Sequence, residues 1–302
     1  MKILMIGGNG FLGTHVQNEL KKHGGYEVFA PSKKEANWLT REGIEEIKFK
    51  PDIIIHILAI YGGLPFCMNN RVKMAVDNLE INGNVYRYIA NKKPKRIITI
   101  GSGCEYPGYK SGILTEDQLG DGKLHQSVAH YGYSKLMQLQ ACEAMREEFG
   151  TEYEHIVLAN MYGPGDLFDF DRSHVVGALI KKFIDAKGKK QPVRLLGTGT
   201  AVRDLIYVKD VAELVVKLIA LEKSTNQPLN ASTGVGTSIK DLAEIISKEI
   251  EFDQSIIWGD ESEDGALLKI LSVDRIKKVL GWVPNTDLKD GIKETIDWLN
   301  SK

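Results

Sequence analysis

The chain has 302 residues, of which 43% are hydrophobic and 26% are charged, and its formal net charge is −1. This balance is typical of a soluble globular protein and gives no electrostatic support for binding to nucleic acid or to an anionic membrane. Three widely spaced cysteines indicate neither a disulfide framework nor a metal site, and with no signal-peptide or membrane-spanning pattern we expect a cytoplasmic protein.

Short apolar segments alternate with amphipathic ones through the first half of the chain. The predicted strands are the apolar segments at 2–6, 26–31, 51–59, 95–102 and 154–164, and helical patterns separate them, notably at 73–91 and 131–149. Strands that alternate with helices indicate a parallel sheet with helices on both faces, so we predict a Rossmann-type doubly wound α/β fold.

The pattern changes after Pro164, where a polar loop begins. We predict a dinucleotide-binding domain over residues 1–165 and about 198–230. We predict a smaller C-terminal α/β substrate-binding domain over about 166–197 and 231–302.

The first predicted strand leads directly into Gly7, Gly10 and Gly13, which fit G-x-x-G-x-x-G and precede a predicted helix. Glycine permits a tight turn and lets the backbone approach a pyrophosphate, which the helix N-terminus then holds. The position of the motif predicts a dinucleotide site, with a plain glycine-rich turn as the alternative.

The second predicted strand is followed by Ser32 and Lys33, with no acidic residue before Glu35. A site for NAD usually has an acidic residue here, which binds the 2′-hydroxyl of the ribose. Ser32 and Lys33 suit a 2′-phosphate instead. The sequence therefore favours NADP(H), unless these residues form only a solvated loop.

Tyr131 and Lys135 are four residues apart in a predicted helix and therefore share one face. A lysine ammonium beside a phenol lowers the pKa of the phenol, so we expect Tyr131 to exchange a proton with a sugar carbonyl or hydroxyl. Ser102, at the end of a predicted strand, is expected to hold that oxygen. Cys104 follows two residues later, and from the residues alone it is either a packing residue or a reactive thiol.

Together these motifs resemble the extended short-chain dehydrogenase/reductases, and within them the GDP-L-fucose synthase subfamily, over nearly the whole chain. The segments that carry the resemblance are GGNGFLG, YGGLP, DNLEIN, GSGCEYP, YGYSK, NMYGPGD, SHVVGALIKKF, GTGTAVRDLIYVKD and the closing segment at 264–282. The resemblance implies an NADPH-dependent enzyme that inverts C3 and C5 of a GDP-linked 4-keto-6-deoxy sugar and reduces C4. It also implies that Cys104 and His174 are the acid/base pair of the inversion.

The resemblance extends to residues expected to bind the nucleotide-diphosphate sugar. Arg203 and Lys269 match basic residues of the subfamily, and an arginine fork suits a pyrophosphate, with a surface ion pair as the alternative for each. Lys182 stands where the subfamily has arginine, and Leu196 stands where it has tryptophan. Ile60-Tyr61 replaces a lysine before Gly-Gly. These departures leave the sugar and the base open.

The predicted site residues fall into three groups. The predicted catalytic residues are Ser102, Cys104, Tyr131, Lys135 and His174. The predicted cofactor contacts are Gly7, Gly10, Phe11, Leu12, Gly13, Ser32, Lys33, Ala59, Ile100, Gly101, Lys135, Asn160 and His174. The predicted substrate contacts are Lys182, Leu196, Arg203 and Lys269.

Other functions remain open. One is reduction at C4 alone, or inversion at a single site, on a related GDP-4-keto-hexose or -heptose. A dehydratase usually has an acidic pair after the strand-end serine, where this chain has Gly103, Cys104 and Glu105. A dinucleotide-sensing regulator without catalysis typically lacks the tyrosine or the lysine, and both are present here.

The helices predicted at 73–91 and 131–149 carry apolar residues on more than one face. These residues are Val85, Tyr86, Ile89, Leu136, Leu139 and Met145. In the enzymes that the chain resembles, such helices pair across a twofold axis, so we expect a homodimer.

Overall fold

The computed structural model describes residues 1–170, 172–261 and 268–302. The strands are β1 (Lys2–Ile6), β2 (Glu27–Phe29), β3 (Ile53–His56), β4 (Arg96–Ser102), β5 (Gly112–Leu114), β6 (Glu152–Leu158), β7 (Asn160–Tyr162), β8 (Val193–Leu195), β9 (Val202–Tyr207), β10 (Gln227–Ala231), β11 (Gly236–Ser238), β12 (Ile256–Trp258) and β13 (Leu268–Leu271). The α-helices are α1 (Phe11–His23), α2 (Leu64–Asn69), α3 (Arg71–Lys92), α4 (Ala129–Phe149), α5 (Val175–Lys189), α6 (Val208–Ala220), α7 (Ile239–Glu249), α8 (Asp274–Leu280) and α9 (Leu288–Asn300). The first residues of the closing sequence segment, Asp264 and Gly265, lie outside the described residues.

The main sheet has six parallel strands in the order β10-β6-β4-β3-β1-β2. Alternate residues of β1 show how it is covered on both faces. Ile3 and Met5 pack in one apolar core with α1 and α6, whereas Leu4 and Ile6 pack in a second core with α3 and α4. Side chains of a strand alternate between the two faces of its sheet. The predicted doubly wound parallel sheet is therefore confirmed.

A smaller sheet lies beyond the carboxyl ends of these strands. Its order is β11-β9-β13-β5, and β7 pairs with β9. β5, β7 and β9 fall within the ranges predicted for the dinucleotide-binding domain, yet they pair here rather than in the main sheet. Conversely, Ile276 and Trp282, from the predicted substrate-binding domain, pack in the core formed with α1 and α6. The domain division stays a prediction. Parts of each predicted domain pack with the other one.

The apolar residues predicted on α3 and α4 lie mainly inside the chain. Val85, Tyr86, Ile89 and Leu139 are buried in the core between these helices and the main sheet. The large apolar side chains that α3 and α4 expose are instead Val72, Val76, Leu79, Tyr133 and Met137. α3 and α4 therefore do expose apolar side chains, but not the ones predicted.

Across the described parts of the chain, no helix combines the length and the apolar character that crossing a membrane requires.

Candidate active site

A cavity of about 840 Å³ opens at the carboxyl edge of the main sheet, facing the smaller sheet. It is lined by every predicted site residue except Gly13 and Ser32. Ligands of doubly wound folds bind at this edge because loops and helix N-termini converge there. The fold thus brings residues from distant parts of the sequence to one cavity.

The glycine loop between β1 and α1 forms one end of the cavity. Gly7 has a φ of +89°, and a Cβ there would lie 2.6 Å from the Leu58 nitrogen, so only glycine fits. Gly10 precedes α1, whose N-terminus has no side-chain cap. A Cβ on Gly13 would lie 2.5 Å from the Gly7 oxygen. Gly13 therefore serves the close packing of α1 against the loop and does not line the cavity.

The turn after β2 places Lys33 at the cavity and holds Glu35, the nearest acidic residue, in a hydrogen bond within the turn. The Glu35 carboxylate accepts a hydrogen bond from the Ser32 backbone at 2.8 Å, which holds the pKa of Glu35 below its usual value. Neither Ser32 nor Glu35 lines the cavity, whereas exposed Lys33 does. Trp38, which sequence reasoning missed, lines the same end, and its buried Nε1 has no hydrogen-bond partner among the described residues.

The serine at the end of β4 begins a tight turn, a short 3₁₀ helix over Gly103–Glu105. Ser102 Oγ accepts a hydrogen bond from the Cys104 backbone at 3.2 Å, and the Ser102 backbone donates to Glu105 Oε1 at 2.6 Å. Because Ser102 Oγ acts as an acceptor in this capping box, its hydroxyl hydrogen stays available to a ligand in the cavity.

Tyr131 and Lys135 project from the first turns of α4. Lys135 is buried, donates to the Ile100 carbonyl at 2.7 Å, and lies 5.6 Å from the centre of the Tyr131 ring. Burial lowers the pKa of Lys135 to about 8. Gly132 between them is required because a Cβ there would lie 2.4 Å from the Cys104 carbonyl oxygen. Sequence reasoning missed this packing contact.

The predicted lowering of the Tyr131 pKa is wrong for this structure. Desolvation raises the pKa of Tyr131 well above its usual value, and Cys104 and Glu105 add to the rise. Removal of water disfavours the phenolate more than the neighbouring ammonium favours it. Tyr131 therefore carries its proton at neutral pH, which is the form that donates a proton.

A buried hydrogen-bond network holds α4 against β3 and α3 beneath Lys135. Gln138 donates to Asn82 Oδ1 at 2.9 Å, and Asn82 donates to the Ser134 carbonyl at 2.8 Å. His56 Nε2 lies 3.1 Å from the same Asn82 oxygen. Burial lowers the pKa of His56 to about 3, so this histidine is neutral. The network fixes the helix that carries Tyr131 and Lys135.

Cys104 is a free, half-buried thiol on the cavity wall. Burial lowers the pKa of Lys269, whose Cε lies 4.0 Å from the position that a Cβ on Gly103, the residue before Cys104, would occupy. Lys269 is paired in register with Arg203 across β13 and β9. Two basic residues therefore lie side by side on the smaller sheet, and Lys269 is next to the turn that carries Cys104. Cys67 also lines the cavity, but it is buried in α2, and burial raises its pKa to about 11.

His174 lies at the N-terminus of α5, on the cavity wall formed by the loop before that helix. Its ring stacks on Tyr61, with centroids 5.6 Å apart and planes 7° apart. Burial lowers the pKa of His174, so the imidazole is neutral at neutral pH. Ser173 Oγ donates to the Leu167 carbonyl at 2.7 Å and thereby fixes the loop. Tyr61, noted from sequence only as a departure, is thus the residue that orients His174.

Four residues make up what we call the distal wall of the cavity. They are Lys182 on α5, Leu196 after β8, Arg203 on β9 and Lys269 on β13. Leu196 is 59% exposed, and the other three are half-buried.

Comparison with known proteins gives the family. Residues 3–232 match the family model described as NAD dependent epimerase/dehydratase family. The chain belongs to this family. It is 30% identical to GDP-L-colitose synthase of Yersinia pseudotuberculosis over 100% of this chain and 99% of that protein, and 25% identical to GDP-L-fucose synthase of Escherichia coli strain K12 over 98% and 96%.

A solved structure agrees with the fold. The GDP-mannoheptose C4 reductase from Campylobacter jejuni, solved with NADP bound, superposes with a TM-score of 0.87 at 25% identity, covering 99% of this chain and 98% of that chain. The predicted family and fold, and the prediction of an enzyme, are confirmed. The roles of the individual site residues stay predictions.

Proposed function

We propose that this protein is an NADP(H)-dependent enzyme that inverts C3 and C5 of a GDP-linked 4-keto-6-deoxy sugar and reduces the ketone at C4. One observation carries the proposal: a single cavity joins the glycine loop, the Ser102–Tyr131–Lys135 group and the Cys104–His174 pair. The relatives named as GDP-L-colitose and GDP-L-fucose synthases match over nearly their full length, which supports a GDP-linked sugar.

The residues at the glycine-loop end fit a dinucleotide phosphate. Gly10 has no side chain, and the uncapped N-terminus of α1 directs backbone N–H groups toward the cavity, which suits a pyrophosphate. Lys33 lines the cavity, whereas the nearest acid, Glu35, is held in its own turn. This arrangement supports a 2′-phosphate and therefore NADP(H).

Reduction uses the residues at the end of β4 and the start of α4. When bound, NADPH supplies the hydride that reduces C4. The Ser102 hydroxyl donates to the C4 oxygen and holds it. Tyr131, which carries its proton at neutral pH, donates that proton to the same oxygen as it gains charge. Lys135, as an ammonium, stabilises the tyrosinate that remains.

Inversion requires two groups on opposite faces of the sugar. A ketone acidifies the protons on its flanking carbons, so a thiolate at Cys104 removes one as a base. His174 takes up a proton from solvent and returns it from the other side as an imidazolium, which leaves the neutral imidazole that its lowered pKa favours. The ring stacking on Tyr61 fixes the direction in which His174 presents that proton.

A C4 reductase without inversion is the second candidate. The exposed Leu196 on the distal wall removes a stacking surface that the resembled subfamily has. A relative of comparable identity is named as a C4 reductase of GDP-mannoheptose. Both observations favour a different sugar, while leaving the residues of reduction unchanged.

NMR of a GDP-4-keto-6-deoxy sugar in D₂O without NADPH separates these candidates. We expect the wild-type protein to exchange the protons at C3 and C5. Cys104→Ser should slow this exchange by roughly 10²-fold or more, the range for a positioned base, while direct reduction with NADPH survives. His174→Asn should also impair inversion. A wild-type protein that reduces the ketone without any exchange is a reductase only.

We also propose a homodimer through α3 and α4. Val72, Val76 and Leu79 on α3 and Tyr133 and Met137 on α4 are exposed apolar side chains, which a second copy would cover. Sedimentation at micromolar protein should give about twice the chain mass of 33.6 kDa. A mass equal to that of one chain would contradict the dimer.

A further inference from the structure

The strongest feature that the proposed chemistry does not use is a buried pair of ionisable side chains below the Ser102 turn. Glu105 and His155 are both fully buried, and Glu105 Oε2 lies 2.8 Å from His155 Nε2. Glu105 belongs to the turn after β4, and His155 belongs to the neighbouring strand β6. Burial of two ionisable groups is costly and adds little stability compared with an apolar pair.

The hydrogen bonds of this pair lead directly to the catalytic serine. A carboxylate only accepts hydrogen bonds, so His155 Nε2–H donates to Glu105, and His155 Nδ1 pairs with Thr99 Oγ1 at 2.8 Å. The other carboxylate oxygen, Glu105 Oε1, accepts from the Ser102 backbone at 2.6 Å. The chain of contacts therefore runs from β6 to the backbone of Ser102.

Gly101, the residue before Ser102, packs directly against this pair. A Cβ on Gly101 would lie 2.5 Å from both Glu105 Oε1 and His155 Nε2. The preceding residue, Ile100, gives its carbonyl to Lys135. In β4, Ile100 therefore binds Lys135, Gly101 packs against the buried pair, and the next residue is Ser102 itself.

We propose that Glu105 is a positioning residue, whose buried carboxylate, held by His155, fixes the Ser102–Cys104 turn and provides the negative charge that faces Lys135. The proposal rests on the proposed function, because Ser102 and Lys135 act in reduction.

Several charged or titratable groups face Lys135. They are Tyr131 on the same helix, His56 on β3, and Cys104 and Glu105 on the turn. Burial lowers the pKa of Lys135 to about 8, and Glu105 is the largest opposing influence. Without the Glu105 charge, Lys135 loses its proton at lower pH, so a smaller fraction of the protein has the ammonium that supports the tyrosinate at neutral pH.

The test follows Lys135 directly in the ligand-free protein. Lysines are labelled with ¹³C at Cε, and Lys135→Met identifies the Lys135 signal. Glu105→Gln keeps an acceptor for the Ser102 backbone but removes the charge. We expect the pH midpoint of the Lys135 titration to fall by about half a unit or more. The alkaline limb of the pH profile of kcat for ketone reduction should shift by the same amount. Glu154→Gln, a buried glutamate on β6 that bonds to Ser224, is the matched control and should leave the midpoint unchanged.

A double variant separates positioning from stability. Glu105→Leu with His155→Leu replaces the buried pair by apolar side chains, which should keep the unfolding temperature. We expect its kcat for ketone reduction to stay about tenfold or more below wild type, because the Ser102 turn has lost its anchor. A double variant with wild-type kcat, or a Glu105→Gln variant with an unchanged Lys135 midpoint, overturns the proposal. A wild-type protein that reduces no GDP-4-keto sugar overturns the proposed function, whereas the titration still reports on Glu105.

Discussion

The two sides of the cavity are built in different ways. On the side of β4, Ser102 and Lys135 are held by backbone hydrogen bonds on a central strand and a long helix. On the distal wall, Leu196 is 59% exposed, and Arg203 donates to the carbonyl of its own neighbour, Val202. Ser102 and Lys135 are thus held by backbone contacts at the edge of the core, whereas Leu196 on the distal wall is largely exposed to solvent.

From this difference we expect the β4 side to determine the rate of the chemical step and the distal wall to determine which substrate binds. A change at Lys135 disturbs a buried contact with Ile100 and the network around Gln138, so few residues fit there. A change at Leu196 alters the surface that a ligand meets and leaves the core intact. We therefore expect substitutions on the β4 side to affect kcat and substitutions on the distal wall to affect KM.

Tyr131→Phe is the sharpest test of the β4 side. Loss of the proton donor should reduce the rate of hydride transfer by about 10²–10⁴-fold, while NADPH binding barely changes. Tyr133→Phe is the matched control, because Tyr133 lies two residues away on α4 and is 48% exposed. Stopped-flow loss of NADPH absorbance gives the rate. Near-normal turnover by Tyr131→Phe would show that another group is the acid.

Arg203→Ala tests the distal wall. A charge-assisted hydrogen bond to a pyrophosphate contributes about 1.5–3 kcal/mol, so KM for the GDP-sugar should rise by about 10–100-fold with little change in kcat. Arg194→Ala, on the exposed side of β8 away from the cavity, should change neither constant. Steady-state kinetics would contradict the division of roles if Arg203→Ala lowered kcat and left KM unchanged.

Lys33→Glu tests the glycine-loop end of the cavity, which belongs neither to the β4 side nor to the distal wall. The wild-type protein should bind NADPH at least about tenfold more tightly than NADH, a difference of about 1.4 kcal/mol. Lys33→Glu should remove that preference, whereas Lys34→Glu should keep it, because Lys34 is exposed and does not line the cavity. Calorimetric titration of both cofactors measures the ratio. Equal dissociation constants in the wild-type protein would contradict the preference.

Motifs in the sequence were sufficient for the sheet, the glycine loop and the residues that meet in the cavity. Each of these depends on local patterns: apolar strands, glycines before a helix, and a tyrosine and lysine one turn apart. The sequence could not show that desolvation outweighs Lys135 at Tyr131, because burial depends on residues that pack from elsewhere. The same limit applies to Val85 and Ile89, whose apolar side chains face the core rather than a partner.

Contacts between distant residues were also missed. Glu105 and His155 are 50 positions apart and meet only because β4 and β6 are neighbours in the sheet. Tyr61 and His174 stack because the loop after β3 meets the loop before α5. Neither pair has a fixed spacing that a motif would reveal, so strand order had to be known first.

The loop before α5 holds a buried carboxylate that is only partly satisfied. Asp166 is 6% exposed, its Oδ1 accepts from the Leu167 backbone at 2.7 Å, and its Oδ2 has no hydrogen-bond partner among the described residues. Burial raises the pKa of Asp166 to about 7. On the β4 side, by contrast, both oxygens of buried Glu105 accept hydrogen bonds.

Asp166→Asn should therefore stabilise the protein, and only at higher pH. The unfolded aspartate titrates near pH 3.9, so between about pH 4 and pH 7 the folded state binds the extra proton and stability falls as pH rises. Above pH 7 the full cost of a buried charge is present, and asparagine removes it. We expect the unfolding temperature at pH 8 to rise by about 4 °C or more, since each 1 kcal/mol gives roughly 1.5–2 °C in a chain of about 300 residues. At pH 4 the two proteins should unfold alike, and Asp121→Asn, an exposed control, should show no such pH dependence. Equal gains at both pH values would mean that shape rather than charge at Asp166 limits the stability of this loop.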